Sequence, residues 1–283
     1  RRSQHVGHNC VDYRKVLEKG FLGIKKDAED RLARIDLGNP EDAGKVPFLE
    51  GVILDMASAA ELGNRFAVRA RELAAIEVDA SRKTELLGIA EVCQQVPAHP
   101  ARTLHEAVQS YFFTWILLFW EQPIVSAVSP GAADQYLYPY YDSDVREGRI
   151  TTDSAQELLD CYILKLNQIP NESLSTHLSV GGLKANGNDA TNKLSHMFIE
   201  AMMHTRLMAP IFSVQVHSKA PDDLLIKASQ LCSLGTGHPQ FVNQDVAVAQ
   251  TLARGCMGGP AITLADARSA TPIGCVELAI PAK

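Results

Sequence analysis

The residues of this chain best equipped for chemistry stand close to its end. Thr271-Pro272-Ile273-Gly274-Cys275-Val276-Glu277 sets a thiol and a carboxylate two residues apart behind a glycine. In an extended stretch, side chains at i and i+2 leave the backbone on one side, so Cys275 and Glu277 would enter one cavity while Val276 packs behind them. A thiol serves as nucleophile, metal ligand or hydrogen-atom relay, and a carboxylate beside it can move a proton in the same turnover. The pair alone does not choose among these roles. Taken in isolation, Cys-x-Glu reads more often as a small buried residue next to a surface charge.

Other reactive residue types carry less. His177 and His217 adjoin strand-like runs but have no metal-ligand spacing around them, so buried, hydrogen-bonded histidines are expected and no metal site is. Gly255-Cys256-Met257-Gly258-Gly259-Pro260 lacks the Gly-Lys-Ser/Thr ending of a phosphate loop and reads as a turn into the cysteine segment. Tyr136, Tyr138, Tyr140 and Tyr141 surround Pro139 and read as a packing corner. Six cysteines without a CxxC pair give no disulfide framework or structural zinc site, and fit reduced thiols in the cytoplasm.

The elements that must position Cys275 and Glu277 follow from periodicity. Arg14 to Asp36 has helical spacing interrupted at Gly20, Ala57 to Ala75 is an alanine-rich helix, and an apolar helix is expected from Ala101-Arg102 to Trp120. Thr151 to Asp153 can cap a helix through Leu166, Asp189 can cap the next, and Pro221-Asp222-Asp223 starts one that stops at Gly235. Between them, His177 to Val180 and Ile211 to Val216 have the length and β-branched content of strands. Helix and strand alternate in this last part, which predicts an α/β fold with a largely parallel sheet from about residue 175 and chemistry at the strand ends.

With 46% hydrophobic residues and a net charge of −6, the chain can bury a large core and has no polybasic field for nucleic acid. Its most apolar stretch, Tyr111 to Trp120, is too short to span a bilayer, so no membrane association is expected.

Gly274-Cys275-Val276-Glu277 does not stand alone. Gly7-His8 with Asp12-Tyr13 and Val16-Leu17, Val96-Pro97-Ala98 with Pro100-Ala101-Arg102-Thr103, Ser129-Pro130-Gly131, and Asp134-Gln135-Tyr136 through Tyr141 precede it. Ser179-Val180-Gly181-Gly182, Asp189-Ala190-Thr191-Asn192, Val214-Gln215-Val216-His217 and Asp266-Ala267-Arg268 come next, in order, and also precede it. Together these segments resemble the glycyl radical enzymes, the relatives of pyruvate formate-lyase. The resemblance implies part of a ten-stranded α/β barrel of two five-stranded parallel halves, with the cysteine on a loop inside. On that reading, residues 1–283 form a single partial domain, mainly helical over 1–125 and barrel-forming over 126–283.

The resemblance further implies that Cys275 carries a transient thiyl radical and that Glu277 acts as general base. No cofactor is then bound directly: a glycine elsewhere in the polypeptide stores the radical, which a radical S-adenosylmethionine activating enzyme installs. Other implied partners are a small-molecule substrate and, at full length, a second copy of the chain. No Arg-Val-x-Gly-Tyr-like segment occurs and the sequence does not open with methionine, so a fragment lacking the radical-bearing part is expected, inactive alone.

Pyruvate formate-lyase itself has adjacent cysteines, whereas position 274 is glycine. The motif resembles instead the dehydratase and lyase branch, which cleaves C–O, C–N or C–C bonds of small organic substrates. Where polyol dehydratases carry a His-Ser pair this chain has Ser126 and Ala127, a weaker polar clamp that disfavours glycerol. Ala132-Ala133 and Leu278 also depart from the diol and choline enzymes. Ser126 and His8 are the substrate-contact positions implied, although His8 could equally be bonded to backbone. Radical decarboxylation or addition, a conventional thiol nucleophile, and a non-catalytic interaction module are the alternatives.

Overall fold

A computed structural model describes residues 8–121, 127–168, 176–255 and 261–281. The chain divides into two compact units, Tyr13–Leu117 and the combination of Arg1–Asp12 with Leu118–Lys283. A short strand, β1 (His8–Asn9), belongs to the second of these.

The first unit is helical: α1 (Tyr13–Leu32), α2 (Pro40–Ala43), α3 (Val46–Ile76), α4 (Ala80–Gln95) and the start of α5 (Leu104–Glu121). The expected interruption of α1 falls at Gly20, whose φ of 66° lies in the left-handed region. A methyl group there would sit 2.4 Å from the carbonyl oxygen of Ala98, so only glycine lets the kinked helix meet the chain after α4. Helix α3 begins eleven residues before the expected Ala57, and its small residues Ala59, Ala60, Gly63, Ala67, Ala70 and Ala74 form a buried stripe at helical spacing. The stripe serves two neighbours: Ala59 and Ala60 pack with Val16 and Phe21 of α1, and Gly63 stands against the Cys93 and Val96 carbonyls at the end of α4. In α5, Tyr111, Phe113 and Trp115 are buried as expected, whereas Trp120 is 54% exposed.

The second unit continues with β2 (Ala127–Val128), β3 (Gly131–Ala132), α6 (Ala133–Arg146), α7 (Thr152–Leu166) and β4 (His177–Gly181). It then alternates through α8 (Lys193–Thr205), β5 (Ile211–Val216), α9 (Asp222–Ser233), β6 (Gln240–Asn243), α10 (Gln244–Gly255) and α11 (Leu264–Arg268), ending in β7 (Thr271–Ile273) and β8 (Glu277–Ala279). β3, β4, β5 and β6 form a parallel sheet in that order, β1 pairs with β2 in parallel, and β7 with β8 antiparallel. Thr151 caps α7 by accepting from the Ser154 amide, as its sequence suggests. Helix α8 is capped by Asn192, in a reciprocal box with Ser195, and not by Asp189, which binds Thr191 and His217.

Alternation sorts the strands into two faces. Leu178, Val180, Phe212 and Val214 are fully buried on one, and His177, Ser179, Ser213 and Gln215 lie on the other. The apolar set is an ordinary α/β core, while the polar set is buried too, and its hydroxyls and the His177 ring bond one another and the chain around Gly274.

Candidate active site

The chain enters the site from α11, a single capped turn in which Thr263 and Asp266 bond each other's backbone amides. Arg268 then donates to the Ala185 carbonyl at 3.0 Å, and Gln244 donates to the Arg268 carbonyl at 2.9 Å. β7 follows, wholly buried, with the Thr271 hydroxyl 2.7 Å from that of Ser179 on β4.

At Gly274 the backbone turns. Ile273 pairs with Glu277, so Gly274, Cys275 and Val276 form the tip of a hairpin and the stretch is not extended across the thiol and the carboxylate. The expectation of an i, i+2 pair on one strand face is therefore corrected, and Val276 is 74% exposed where packing behind the pair was expected. The physical cause is Gly274, with φ of 53°: a methyl there would lie 2.6 Å from His8 Nε2 and 2.8 Å from Glu277 Oε2. The tight turn still keeps the two residues together by another route. Glu277 folds back so that Oε2 accepts from the amides of Cys275 at 3.0 Å and Val276 at 3.1 Å.

His8, far away in sequence, reaches the same carboxylate: its Nε2 is 3.6 Å from Glu277 Oε1. The Val276 amide first, then the other turn amides and His8, hold the Glu277 carboxyl below the usual carboxylate range, so it is ionised at neutral pH. Cys275 is exposed at the hairpin tip. Ser126, the remaining sequence-derived site residue, lies outside the described residues, as do Cys256 to Pro260.

Beneath the turn lies a buried polar layer: His177 is the buried, hydrogen-bonded histidine expected, but its link to the cysteine turn and its serine partners were not read from the sequence. His177 Nδ1 is 3.0 Å from the Gly274 carbonyl, and its Nε2 is 2.5 Å from Ser213 Oγ. Ser129 Oγ accepts from the amides of both His177 and Gly274 at 3.2 Å, and Gln215 donates to Ser179 Oγ at 3.2 Å. Burial first, then the nearby His238, pushes the His177 imidazole down to about 4, leaving it neutral at pH 7. A signal was present: His-Leu-Ser-Val and Phe-Ser-Val-Gln place polar residues at every second position of strands whose other positions are apolar.

Asp134, on the first turn of α6, is fully buried and accepts from the Gly181 amide at 2.8 Å and from Ser195 Oγ at 2.5 Å. Burial raises its carboxyl to about 6 against the pull of those bonds. Gln135 donates to the Ala190 carbonyl, and His217 bonds Asp189 at 3.0 Å. The segments at Asp134-Gln135, Gly181, Asp189-Ala190 and His217, all quoted for the family resemblance, thus interlock around the ends of β4 and β5.

A parallel sheet carrying a cysteine hairpin over its polar face defines a class, and comparison with known proteins agrees. A family profile described as pyruvate formate lyase-like matches residues 2–283, and the chain belongs to that family. It is 36% identical over 284 residues to the isethionate sulfite-lyase of Nitratidesulfovibrio vulgaris, covering 95% of this chain and 34% of the relative. It is 36% identical to the trans-4-hydroxy-L-proline dehydratase of Clostridioides difficile, covering 96% of this chain and 35% of that protein. Among solved structures, the glycerol-bound, B12-independent glycerol dehydratase of Clostridium butyricum superposes with a TM-score of 0.91 at 38% identity, over 98% of this chain and 36% of that one. These relatives lie in the dehydratase and lyase branch of the glycyl radical enzymes, and the chain spans about a third of their length.

Proposed function

We propose that this chain carries the cysteine site of a glycyl radical lyase or dehydratase acting on a small organic substrate, with Cys275 as thiyl and Glu277 as general base. The observation supporting it most is the turn itself, in which one carboxylate bonds the backbone of the cysteine residue and stands 3.6 Å from a histidine that comes from another strand.

A glycyl radical, borne on a glycine outside these 283 residues and installed by a radical S-adenosylmethionine enzyme, supplies the hydrogen-atom acceptor that makes Cys275 reactive. The exposed sulfur at the hairpin tip fits such an acceptor, because a group from beyond this chain can reach it. Cys275 takes a hydrogen atom from a substrate C–H bond, re-forming S–H and leaving a carbon radical. Glu277 takes the proton of the adjacent hydroxyl as the neighbouring leaving group departs with its bonding electrons. Cys275 then returns the hydrogen atom. Oε2 is engaged by two turn amides, so Oε1 is the oxygen available as base, and His8 beside it is placed to hold the substrate hydroxyl. Ser126 supplies a further polar contact. Bringing thiol, carboxylate and substrate together removes the entropic cost of a three-body encounter.

Among the described residues no helix is long and apolar enough to cross a membrane. A cytoplasmic location, a homodimer and one domain over residues 1–283 complete the proposal.

The test uses the protein that holds this chain together with its radical-bearing glycine and activating enzyme. Cys275→Ala is expected to keep the glycyl signal in electron paramagnetic resonance while losing substrate activation. Glu277→Gln is expected to keep hydrogen exchange between substrate and thiol and to slow product formation by about 10²–10⁴-fold. Undiminished product from Glu277→Gln would remove the elimination mechanism and favour radical addition.

A further inference from the structure

The turn that carries Cys275 is held by its neighbour in sequence, and both backbone polar groups of Gly274 are taken by buried side chains. Its amide donates to Ser129 Oγ at 3.2 Å, and its carbonyl accepts from His177 Nδ1 at 3.0 Å. The same Ser129 hydroxyl accepts from the His177 amide, so one oxygen ties β4 to the turn. His177, Ser129 and Ser213 have no exposed surface.

We propose that His177 is a positioning residue for the Cys275 turn, acting through the Gly274 carbonyl in the Nδ1-protonated tautomer, with the Ser213 hydroxyl donating to Nε2. The proposal rests on the reading of Cys275 as the reacting thiol, but its geometry can be tested without turnover.

A carbonyl oxygen only accepts, so Nδ1 must carry a proton. In a neutral ring Nε2 is then a bare acceptor, and the Ser213 hydroxyl 2.5 Å away must donate to it. The Gly274 carbonyl therefore fixes the tautomer with its proton on Nδ1, Ser213 satisfies the bare Nε2 by donating to it, and the Nδ1–H bond in turn holds the Gly274 peptide in place. Cys275 begins at that peptide. With the preceding unit fixed through His177 and Ser129, and the following amides fixed through Glu277, the thiol-bearing residue is anchored on both sides. Such anchoring fits hydrogen-atom transfer, since a misplacement of about 1 Å can cost on the order of 10²-fold in rate.

His177 also lies on β4, a strand bonded on both edges within the parallel sheet, and not on a loop. It thus refers the turn to the most rigid element nearby. A fully buried imidazole with both nitrogens engaged could instead be a packing residue whose loss loosens the whole sheet. The two roles differ in where the effect appears and in which substitution repairs it.

The test is residue-resolved amide hydrogen exchange on the full 283-residue chain, with nitrogen-15 NMR of the imidazole. The wild type is expected to show His177 protonated at Nδ1 and bare at Nε2. His177→Leu leaves the Gly274 carbonyl without a donor and is expected to speed exchange at Gly274, Cys275 and Val276 by about tenfold or more, with β5 amides within about twofold. His177→Asn places a donor where Nδ1 stood and is expected to restore protection to within about threefold. A proton on Nε2 in the wild type, unchanged exchange at the turn in His177→Leu, equal loss across the sheet, or no repair by His177→Asn would each overturn the proposal. Should His177→Leu not fold, the wild-type tautomer and the His177→Asn exchange still decide it. Failure of Cys275→Ala to abolish substrate activation would sink the thiyl reading alone, leaving these exchange outcomes untouched.

Discussion

At the scale of single residues, two buried ionisable groups pull the acid stability of the chain in opposite directions. His177 titrates at about 4 when folded against an ordinary value of 6.5, so between these values the unfolded chain binds a proton that the native chain refuses. Its contribution is complete above pH 6.5 and is lost as pH falls toward 4, by up to about 3 kcal/mol. The groups acting on the ring are His238, which lowers its value, and the Gly274 carbonyl and Glu277, which raise it. Asp134 does the reverse: folded at about 6 against 3.8, the native chain keeps a proton that the unfolded chain releases. Its contribution is present below pH 4 and is lost as pH rises through 6, again by up to about 3 kcal/mol. Between pH 4 and 6 these two contributions therefore oppose each other in the wild type. Asp134→Asn should make stability climb more steeply with pH there than in the wild type, and His177→Asn less steeply. Denaturant midpoints measured every half unit of pH check both. Parallel profiles for the two variants would contradict the opposed signs.

At the scale of elements, glycine positions separate backbone demand from helix propensity. Gly20 has left-handed φ and stands against the Ala98 and His99 backbone, whereas Gly88, inside α4, has nothing within 4 Å of where a methyl would go. Gly20→Ala is expected to destabilise by more than about 2 kcal/mol, and Gly88→Ala to stabilise by roughly 0.4–1 kcal/mol through the unfolded chain. Urea unfolding measures both, and a Gly20→Ala protein as stable as wild type would show that the kink is not required. These elements also show what was legible in the sequence. The Gly20 break, the Thr151 cap and strand β5 were readable because each rests on local rules of caps, φ and alternation. Helix α6 was not, because Pro139 stands within it and a proline in mid-pattern argues for a break. The hairpin at Cys275 was not, because its register depends on contacts from β4 and from His8. Cys275, Glu277 and His8 were legible as residues, but their meeting around a turn was not. His177 was legible as a buried, hydrogen-bonded histidine, whereas the serines and glutamine of its layer were visible only as an odd alternation of polar residues in buried strands.

At the scale of the whole molecule, what this chain holds must be set against what a radical site needs. It matches about a third of the length of its curated relatives, and its 283 residues contain no Arg-Val-x-Gly-Tyr-like segment in which a radical could be stored. Cys275 is exposed and the Glu277 side chain is 49% exposed, so water screens the carboxylate and competes for every hydrogen bond it would offer a substrate. A carbon radical formed at such a site would also meet dioxygen and solvent before elimination, which enzymes prevent by closing the cavity. The isolated 283-residue chain is accordingly expected to give no glycyl signal after anaerobic treatment with an activating enzyme, and no Cys275-dependent loss of any diol, hydroxy acid or amino alcohol offered to it. Joined to a radical-bearing segment, it is expected to exchange substrate hydrogen with solvent deuterium through Cys275, and that exchange should vanish in Cys275→Ala. Mass spectrometry of the recovered substrate reads the label directly. Turnover by the isolated chain that needs Cys275 would mean that the thiol works without a glycyl radical, as a conventional nucleophile with Glu277 and His8 as its proton partners.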